Sequence, residues 1–287
     1  MPSQSIQWFP GHMAKTRRLI SDNIKNVDIV IEILDARIPR SSRNPEIHML
    51  TAQKPSIILL NKSSLADPEQ TKRWCEAYTE KDCVCIPTDC ITGEGISKIS
   101  PVVKDILKER LERYEQKGMT GRTLKAMVLG IPNVGKSSLI NKICKNKKTK
   151  VEDRPGVTLN KQWVGTSIGL DLLDMPGILW PKFDERIVGE NLAITGAIRD
   201  QILDAEGIAS CLCARLRKYY PRFLCERYKL GDILEYSEYS DFELLEIIGK
   251  NRGFLIAGGV VSTERTAVML LDEFRAAKIG RITLDIR

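Results

Sequence analysis

Apolar positions along this chain fall into two patterns: short continuous runs in the first two thirds and helix-spaced repeats in the last third. Val27–Leu34 (VDIVIEIL) is almost wholly apolar and β-branched, as a parallel strand covered on both faces would be. Ile57–Leu60, the shorter Val84–Ile86 and Leu124–Leu129 have the same character. Between them, helices are expected around Asn44–Thr51 and Pro68–Thr79. One long helix is expected over Gly95–Lys117, where Glu109 and Arg113 are spaced as an i,i+4 pair. Gly118–Arg122 reads as a turn, and Lys161–Ile168 with Leu170–Leu173, divided by Gly169, as a hairpin. Strands alternating with helices predict an α/β fold, a mostly parallel sheet with flanking helices. From about Pro181 the period becomes helical, as in Leu192, Ile194, Ala197, Ile198, Ile202 and Leu203, and again in Asp241–Ile248 and Glu264–Ala277. The expected organisation is an α/β domain over 1–180 and a small all-helical domain over 181–287.

The chemistry begins at Gly130-Ile131-Pro132-Asn133-Val134-Gly135-Lys136-Ser137, which fits GxxxxGK[ST]. An apolar strand leads into it and a helical stretch leads out, the context a phosphate-binding loop requires. Backbone N–H groups over Val134, Gly135, Lys136, Ser137 and Ser138 would cradle phosphate oxygens at a helix N-terminus. Lys136 would neutralise the β- and γ-phosphates, and the Ser137 hydroxyl would hold Mg²⁺. Some forty residues on, Asp174-Met175-Pro176-Gly177 closes a strand. Asp174 is placed for the Mg²⁺ shell and the Gly177 N–H for the γ-phosphate, the arrangement of a nucleotide switch. Thr158, in Arg154-Pro155-Gly156-Val157-Thr158, is the candidate second Mg²⁺ ligand and γ-phosphate sensor.

Asn61-Lys62-Ser63-Ser64 directly follows the apolar run Ile57–Leu60. GTPases carry their guanine-reading motif, NKxD, in that setting, but the fourth position here is Ser64. A carboxylate accepts from both the N1–H and the exocyclic amine of guanine, whereas a hydroxyl accepts less. Cys90, ahead of Gly93-Glu94-Gly95, falls where a supporting base-contact loop belongs. The order along the chain is therefore base reader, base support, P-loop, switch I, switch II. An ordinary GTPase starts at the P-loop and ends with the base loops, so this order is circularly permuted. The helical region then follows directly on switch II.

Bulk properties narrow the setting. The 287 residues are 43% hydrophobic, enough for a substantial core, and no stretch approaches the ~20 apolar residues of a membrane-spanning helix. Met1–Gly11 has no charged-then-apolar leader pattern. The eight cysteines include Cys83/Cys85 and Cys211/Cys213 but no CxxC, and the histidines are His12 and His48, so free thiols in a reducing cytoplasm are expected rather than a metal site. The net charge is +7, with lysines at 142, 145, 147, 148 and 150 and basic residues at Lys15, Arg17, Arg18, Arg37, Arg40 and Arg43. Solvated faces and an RNA partner both account for that balance.

Several longer stretches carry a resemblance: Gln7-Trp8-Phe9-Pro10-Gly11-His12-Met13-Ala14-Lys15, Asp35-Ala36-Arg37-Ile38-Pro39, Ser41-Ser42-Arg43-Asn44-Pro45, the P-loop, and Asp174 through Phe183. On these the chain resembles the circularly permuted GTPases of the YlqF family over almost its whole length. The resemblance implies a monomeric, cytoplasmic GTPase that turns GTP into GDP and phosphate on the large ribosomal subunit, late in its assembly. It also implies a helical, RNA-contacting C-terminal domain and no membrane partner. Ile178 stands where Ras-like proteins carry the water-orienting glutamine, and an isoleucine cannot orient water. His12 is the candidate replacement, in a Pro-Gly segment not expected to be fixed by helix or sheet. Asn133 matches the P-loop asparagine that helps hold K⁺ beside the phosphates in related GTPases. Two other readings stay open on the residues: a purine-nonselective phosphotransferase, favoured only by Ser64, and an RNA-binding module with a decayed nucleotide site, opposed by Lys136, Ser137 and Asp174.

Overall fold

The structure, a computed structural model, describes residues 10–119, 121–144, 162–180, 183, 185–198 and 204–287, with side chains from Thr16 onward. Its centre is a six-stranded sheet of β1 (Ile29–Asp35), β2 (Ser56–Asn61), β3 (Cys83–Pro87), β4 (Leu124–Leu129), β5 (Gln162–Gly165) and β6 (Leu170–Asp174). The spatial order is β3-β2-β1-β4-β6-β5. Every pairing is parallel except β5 with β6, the hairpin turned at Gly169, whose φ of 79° suits glycine. All seven residues of β1 are buried, as its apolar run requires. The register sets Asp35 beside Asn61 and Val128 beside Asp174, so the carboxyl ends of β1, β2, β4 and β6 share one rim. From the β1/β4 pair the strands step outward to both edges. Open α/β sheets bind ligands at the carboxyl rim of such a reversal.

Local chemistry places the flanking helices. The Asn44 side chain accepts from the Glu46 N–H and Pro45 opens α2 (Pro45–Thr51); Asp67 and Pro68 do the same for α3 (Pro68–Tyr78). The expected long helix over Gly95–Lys117 is instead a 3₁₀ turn, then α4 (Ile99–Ile106) and α5 (Lys108–Gln116), broken at Leu107 with φ −97° and ψ 12°. Ile99, Val103 and Leu107 are buried, whereas α5 has no fully buried residue and only Leu111 packs partly against the core, so little apolar packing holds it in line with α4. The N-terminal segment differs too. Helix α1 spans Pro10–Asn23, so His12 lies in a helical first turn, where proline's fixed φ is favourable rather than disruptive. Ile20 anchors α1 in a cluster with Val30, Ile47, Met175 and Ile178.

Helix α6 (Lys136–Ile143) lies behind the P-loop, between β4 and β5; after β6, among the described residues, come five α-helices: α7 (Arg186–Ile194), α8 (Ala205–Tyr219), α9 (Pro221–Tyr228), α10 (Asp241–Asn251) and α11 (Thr263–Arg275). Helix α8 packs against the other four. Ser240 and Glu243 form a reciprocal cap on α10. One feature had no signal in the hydrophobic period: the last segment returns across the α/β part. Leu284 N–H donates to Arg37 O at 2.7 Å, Ile282 N–H to Leu65 O at 3.2 Å, and Trp74 Nε1 to Asp285 O at 2.8 Å. The buried Asp285 carboxylate accepts from Ser41 N, Ser41 Oγ and Asn191 Nδ2. Apolar burial is continuous from Ile31 of β1 to Leu212 of α8 and Leu284.

Candidate nucleotide-binding site

The P-loop leaves β4 with Gly130 at φ 154°, Asn133 at 60° and Gly135 at 100°. These are not ordinary turn glycines. A Cβ on Gly130 would come within 2.5 Å of Ile33 O, and one on Gly135 within 2.3 Å of Asn61 Nδ2. The loop thus wraps tightly against the ends of β1 and β2. Asn61 secures it: Nδ2 donates to Val134 O at 2.7 Å, and Oδ1 accepts from Cys90 N–H at 3.1 Å. The residue expected to read the base therefore also ties the P-loop to the Cys90 loop.

Lys136 opens α6 and is buried; its Nζ donates to Gly130 O at 3.0 Å and Ile131 O at 2.8 Å. The ammonium lies inside the loop whose amides it would complement. Across from it, Asp174 ends β6 with both carboxylate oxygens buried and without a hydrogen-bond partner among the described residues. A buried carboxylate without donors is costly unless a cation completes it. Together with the Ser137 hydroxyl, carried on the first turn of α6, this all-oxygen donor set fits Mg²⁺, a hard cation that takes oxygen ligands. Burial pushes the Lys136 pKa down to about 8, against the pull of Asp174. Burial also pushes Asp174 up to about 6, with the Lys136 ammonium opposing it.

Gly177 brings switch II onto this pair. A Cβ there would meet Pro132 N at 2.9 Å and Lys136 Nζ at 3.0 Å, so the bare glycine backbone is what permits the approach. Ile178 N–H donates to Gly130 O at 3.3 Å, and Ile178 O accepts from Asn44 Nδ2 at 3.2 Å. The Ile178 side chain is buried in the α1–α2 cluster, away from any water-orienting role. Asn133 Nδ2 donates to Gly196 O at 2.8 Å, joining the P-loop to the helical region; its Oδ1 is the atom left to face a cation.

Lys62, at φ 62°, sends Nζ to Asp35 Oδ2 at 2.9 Å. Arg37 grips the same carboxylate with two bonds, Nε to Oδ1 at 2.9 Å and Nη2 to Oδ2 at 2.7 Å. Ser63 N–H donates to Thr88 O, and the returning tail props the turn, with Arg281 donating to Ser63 O at 2.8 Å and Ala66 O at 2.9 Å. Ser64 Oγ donates to Asp89 Oδ2. Asp89 was not singled out from sequence, although its place beside Cys90 was the available signal. Thr158 and the lysines at 145, 147, 148 and 150 lie outside the described residues, as do the side chains of His12 and Lys15.

P-loop, switch II glycine and base loops on one rim, reached in permuted chain order, define a circularly permuted P-loop GTPase. Comparison with known proteins agrees. A family model described as a 50S ribosome-binding GTPase matches residues 125–211. Ribosome biogenesis GTPase A of Bacillus cereus is 44% identical over 98% of this chain and 93% of its own length, and that of Priestia megaterium 46% identical over 98% and 96%. Mitochondrial ribosome-associated GTPase 1 of Mus musculus is 31% identical over 97% and 90%. A GNP-bound YlqF from T. maritima superimposes with a TM-score of 0.61 at 26% identity, covering 95% of this chain and 98% of that one. The chain belongs to the ribosome biogenesis GTPase A (YlqF) family. It binds guanine nucleotide and hydrolyses GTP, and Mg²⁺ is the metal that GTPases of this kind use.

Proposed function

We propose that this GTPase is a cytoplasmic, monomeric assembly factor that acts on the large ribosomal subunit in a late step, and that the subunit stimulates its hydrolysis. The observation that carries this reading is the contact of switch II with both the P-loop and α1. Gly177 touches Lys136, Ile178 bonds Gly130, and the Ile178 side chain shares its cluster with Ile20 of α1. A docked partner that moves α1 therefore moves the segment bearing His12 relative to the γ-phosphate.

The roles follow from the site. Amides over Val134–Ser138 and Lys136 hold the phosphates, and Gly177 N–H reports the γ-phosphate. Ser137, Asp174 and Thr158 would hold Mg²⁺, which would supply positive charge against that of the phosphates. Asn133 Oδ1 adds K⁺. Asn61, Lys62, Ser63 and Ser64 form the base loop, and His12 places the attacking water. Residues 1–180 act as the GTPase domain, and 181–287 as the unit that meets ribosomal RNA and proteins.

One described face has the chemistry of an RNA contact. At the amino-terminal ends of β1 and β4, away from the nucleotide rim, a pocket of about 420 Å³ is lined by Lys25, Arg110, Arg122, Lys125, Trp163 and Asp28, whose carboxylate pairs with Arg110 at 3.0 Å, so that Lys25, Arg122 and Lys125 carry its net positive charge. Trp163 is 44% exposed, with Lys125 Nζ 5.3 Å from its ring, and Arg122 lies 4.4 Å over Tyr114. Exposed aromatics among cations stack bases while the cations meet phosphates. Co-sedimentation with purified large subunits across salt tests this. Wild-type affinity falls steeply with salt, and the Arg122→Ala/Lys125→Ala variant lowers the log–log slope by about two. Salt-independent binding would contradict the RNA contact.

A further inference from the structure

The fourth position of the base-reading motif is Ser64, and a carboxylate stands directly behind it. Asp89 follows β3, and its Oδ2 accepts from the Ser64 hydroxyl. Asp89 Oδ1 accepts from Ile91 N–H at 2.7 Å and Thr92 N–H at 3.0 Å, which fixes the carboxylate's orientation. The loop is closed by Asp89 N–H to Glu94 O at 3.0 Å and Gly93 N–H to Asp89 O at 2.8 Å. It is tied to the motif by Ser63 N–H to Thr88 O and by Cys90 N–H to Asn61 Oδ1.

Resting on the GTPase reading above, we infer that Asp89 and Ser64 together read guanine, with the aspartate and a hydroxyl exchanged between the two base loops. A carboxylate has roughly four acceptor sites. Two on Oδ1 are taken by the Ile91 and Thr92 amides and Ser64 approaches the carboxylate with its hydroxyl and its amide, so the acceptor face left for the base is shared by Oδ2 and the Ser64 oxygen. The Ser64 proton is committed to the carboxylate, so its oxygen offers lone pairs alone. Burial opposes ionisation of Asp89, but the hydrogen bonds from Ser64, Thr92 and Ile91 outweigh it and hold the carboxyl below its ordinary pKa. The pair is therefore an acceptor-only edge. Guanine presents two donors there, N1–H and the 2-amino group; adenine presents the N1 acceptor and is refused. Ser64 is thus no weakening of selectivity. Asp67, the other nearby carboxylate, is occupied: it caps α3 through Gln70 N–H and accepts from Tyr220 Oη.

The test measures binding of GDP, ADP and xanthosine diphosphate to the full chain and its variants. Asp89→Asn keeps an oxygen for the Ile91 and Thr92 amides but turns a donor toward Ser64. That frees the Ser64 hydroxyl to donate toward the base, which suits the 2-carbonyl of xanthine. GDP binding should fall about 10- to 100-fold while xanthosine diphosphate binding rises. A structural defect alone would weaken both. Ser64→Asp should also weaken GDP, because two carboxylates then face each other, and Ser64→Asp/Asp89→Ser should recover most of the loss. An unchanged GDP to xanthosine diphosphate ratio in Asp89→Asn, or a double variant no better than the weaker single one, overturns the assignment. Equal wild-type affinity for GDP and ADP would remove guanine selectivity itself, and the assignment with it.

Discussion

Lys136→Ala weakens GTP binding by on the order of 10²- to 10³-fold, and it removes the pH dependence of binding above pH 8. The size follows from truncating one partner of a buried charge pair, which costs roughly 2–5 kcal/mol. The pH dependence follows from the free protein. Burial lowers the Lys136 pKa to about 8, so above that pH the free ammonium is increasingly neutral. Bound phosphates hold it protonated, so binding above pH 8 takes up a proton and affinity falls by up to about tenfold per pH unit. Asp174 sets the acid side. Burial raises it to about 6, and below that pH the carboxylate needed for Mg²⁺ is protonated. Wild-type Mg²⁺-dependent affinity therefore peaks between about 6 and 8. Equilibrium titration with a fluorescent nucleotide at several pH values checks it; a basic limb that persists in Lys136→Ala refutes the assignment to that lysine.

Arg37→Ala destabilises the fold by about 3–5 kcal/mol, the usual cost of leaving a buried charge uncompensated. Asp35 and Arg37 are both almost fully buried and joined by two side-chain hydrogen bonds beside the Arg37 N–H to Asp35 Oδ1, and the Lys62 ammonium adds another at the rim. The Arg37 guanidinium also donates to Arg275 O at 3.4 Å, so its loss removes a side-chain tie to α11 as well. Burial opposes ionisation of Asp35, but Arg37 and Lys62 outweigh it and hold its pKa well below the carboxylate range. A depressed carboxylate stabilises above its unfolded pKa, about 4, and loses that contribution as pH falls further. The wild type should lose this contribution below about pH 4, and the variant should have less of it to lose. Urea unfolding at pH 7 and at about pH 3 reads both effects; a loss under about 1 kcal/mol at pH 7 would refute the role.

The centre of the sheet was legible because β1, β2 and β4 are buried on both faces and so read as unbroken apolar runs. Ile29–Asp35 and Ser56–Asn61 fall where those runs lie. The site's order was legible because Gly130–Ser137, Asp174–Gly177 and Asn61–Ser64 each keep a fixed spacing that the chemistry demands. What escaped was non-local. The break at Leu107 depends on where buried packing stops, not on propensity in Lys108–Gln116. The start of α1 at Pro10 reverses the expectation of an unfixed segment, since Pro10 is a favourable first helical residue. The return of Ile282–Asp285 over Arg37, Leu65 and Trp74 rests on backbone bonds between positions some two hundred residues apart. Asp89 was hidden for the same reason: its meaning depends on Ser64, twenty-five residues away and across two strands.

Activation by the large ribosomal subunit through α1 is proposed above. GTP turnover by the full chain with and without purified large subunits, wild type beside His12→Ala, tests it. Wild-type turnover should be slow alone and strongly stimulated by subunits. His12→Ala should lose most of that stimulation, a factor of roughly 10²–10⁴ for a positioned water-orienting group, while still binding GTP and the subunit. Equal wild-type rates with and without subunits would contradict it, and so would a His12→Ala variant stimulated as fully as the wild type.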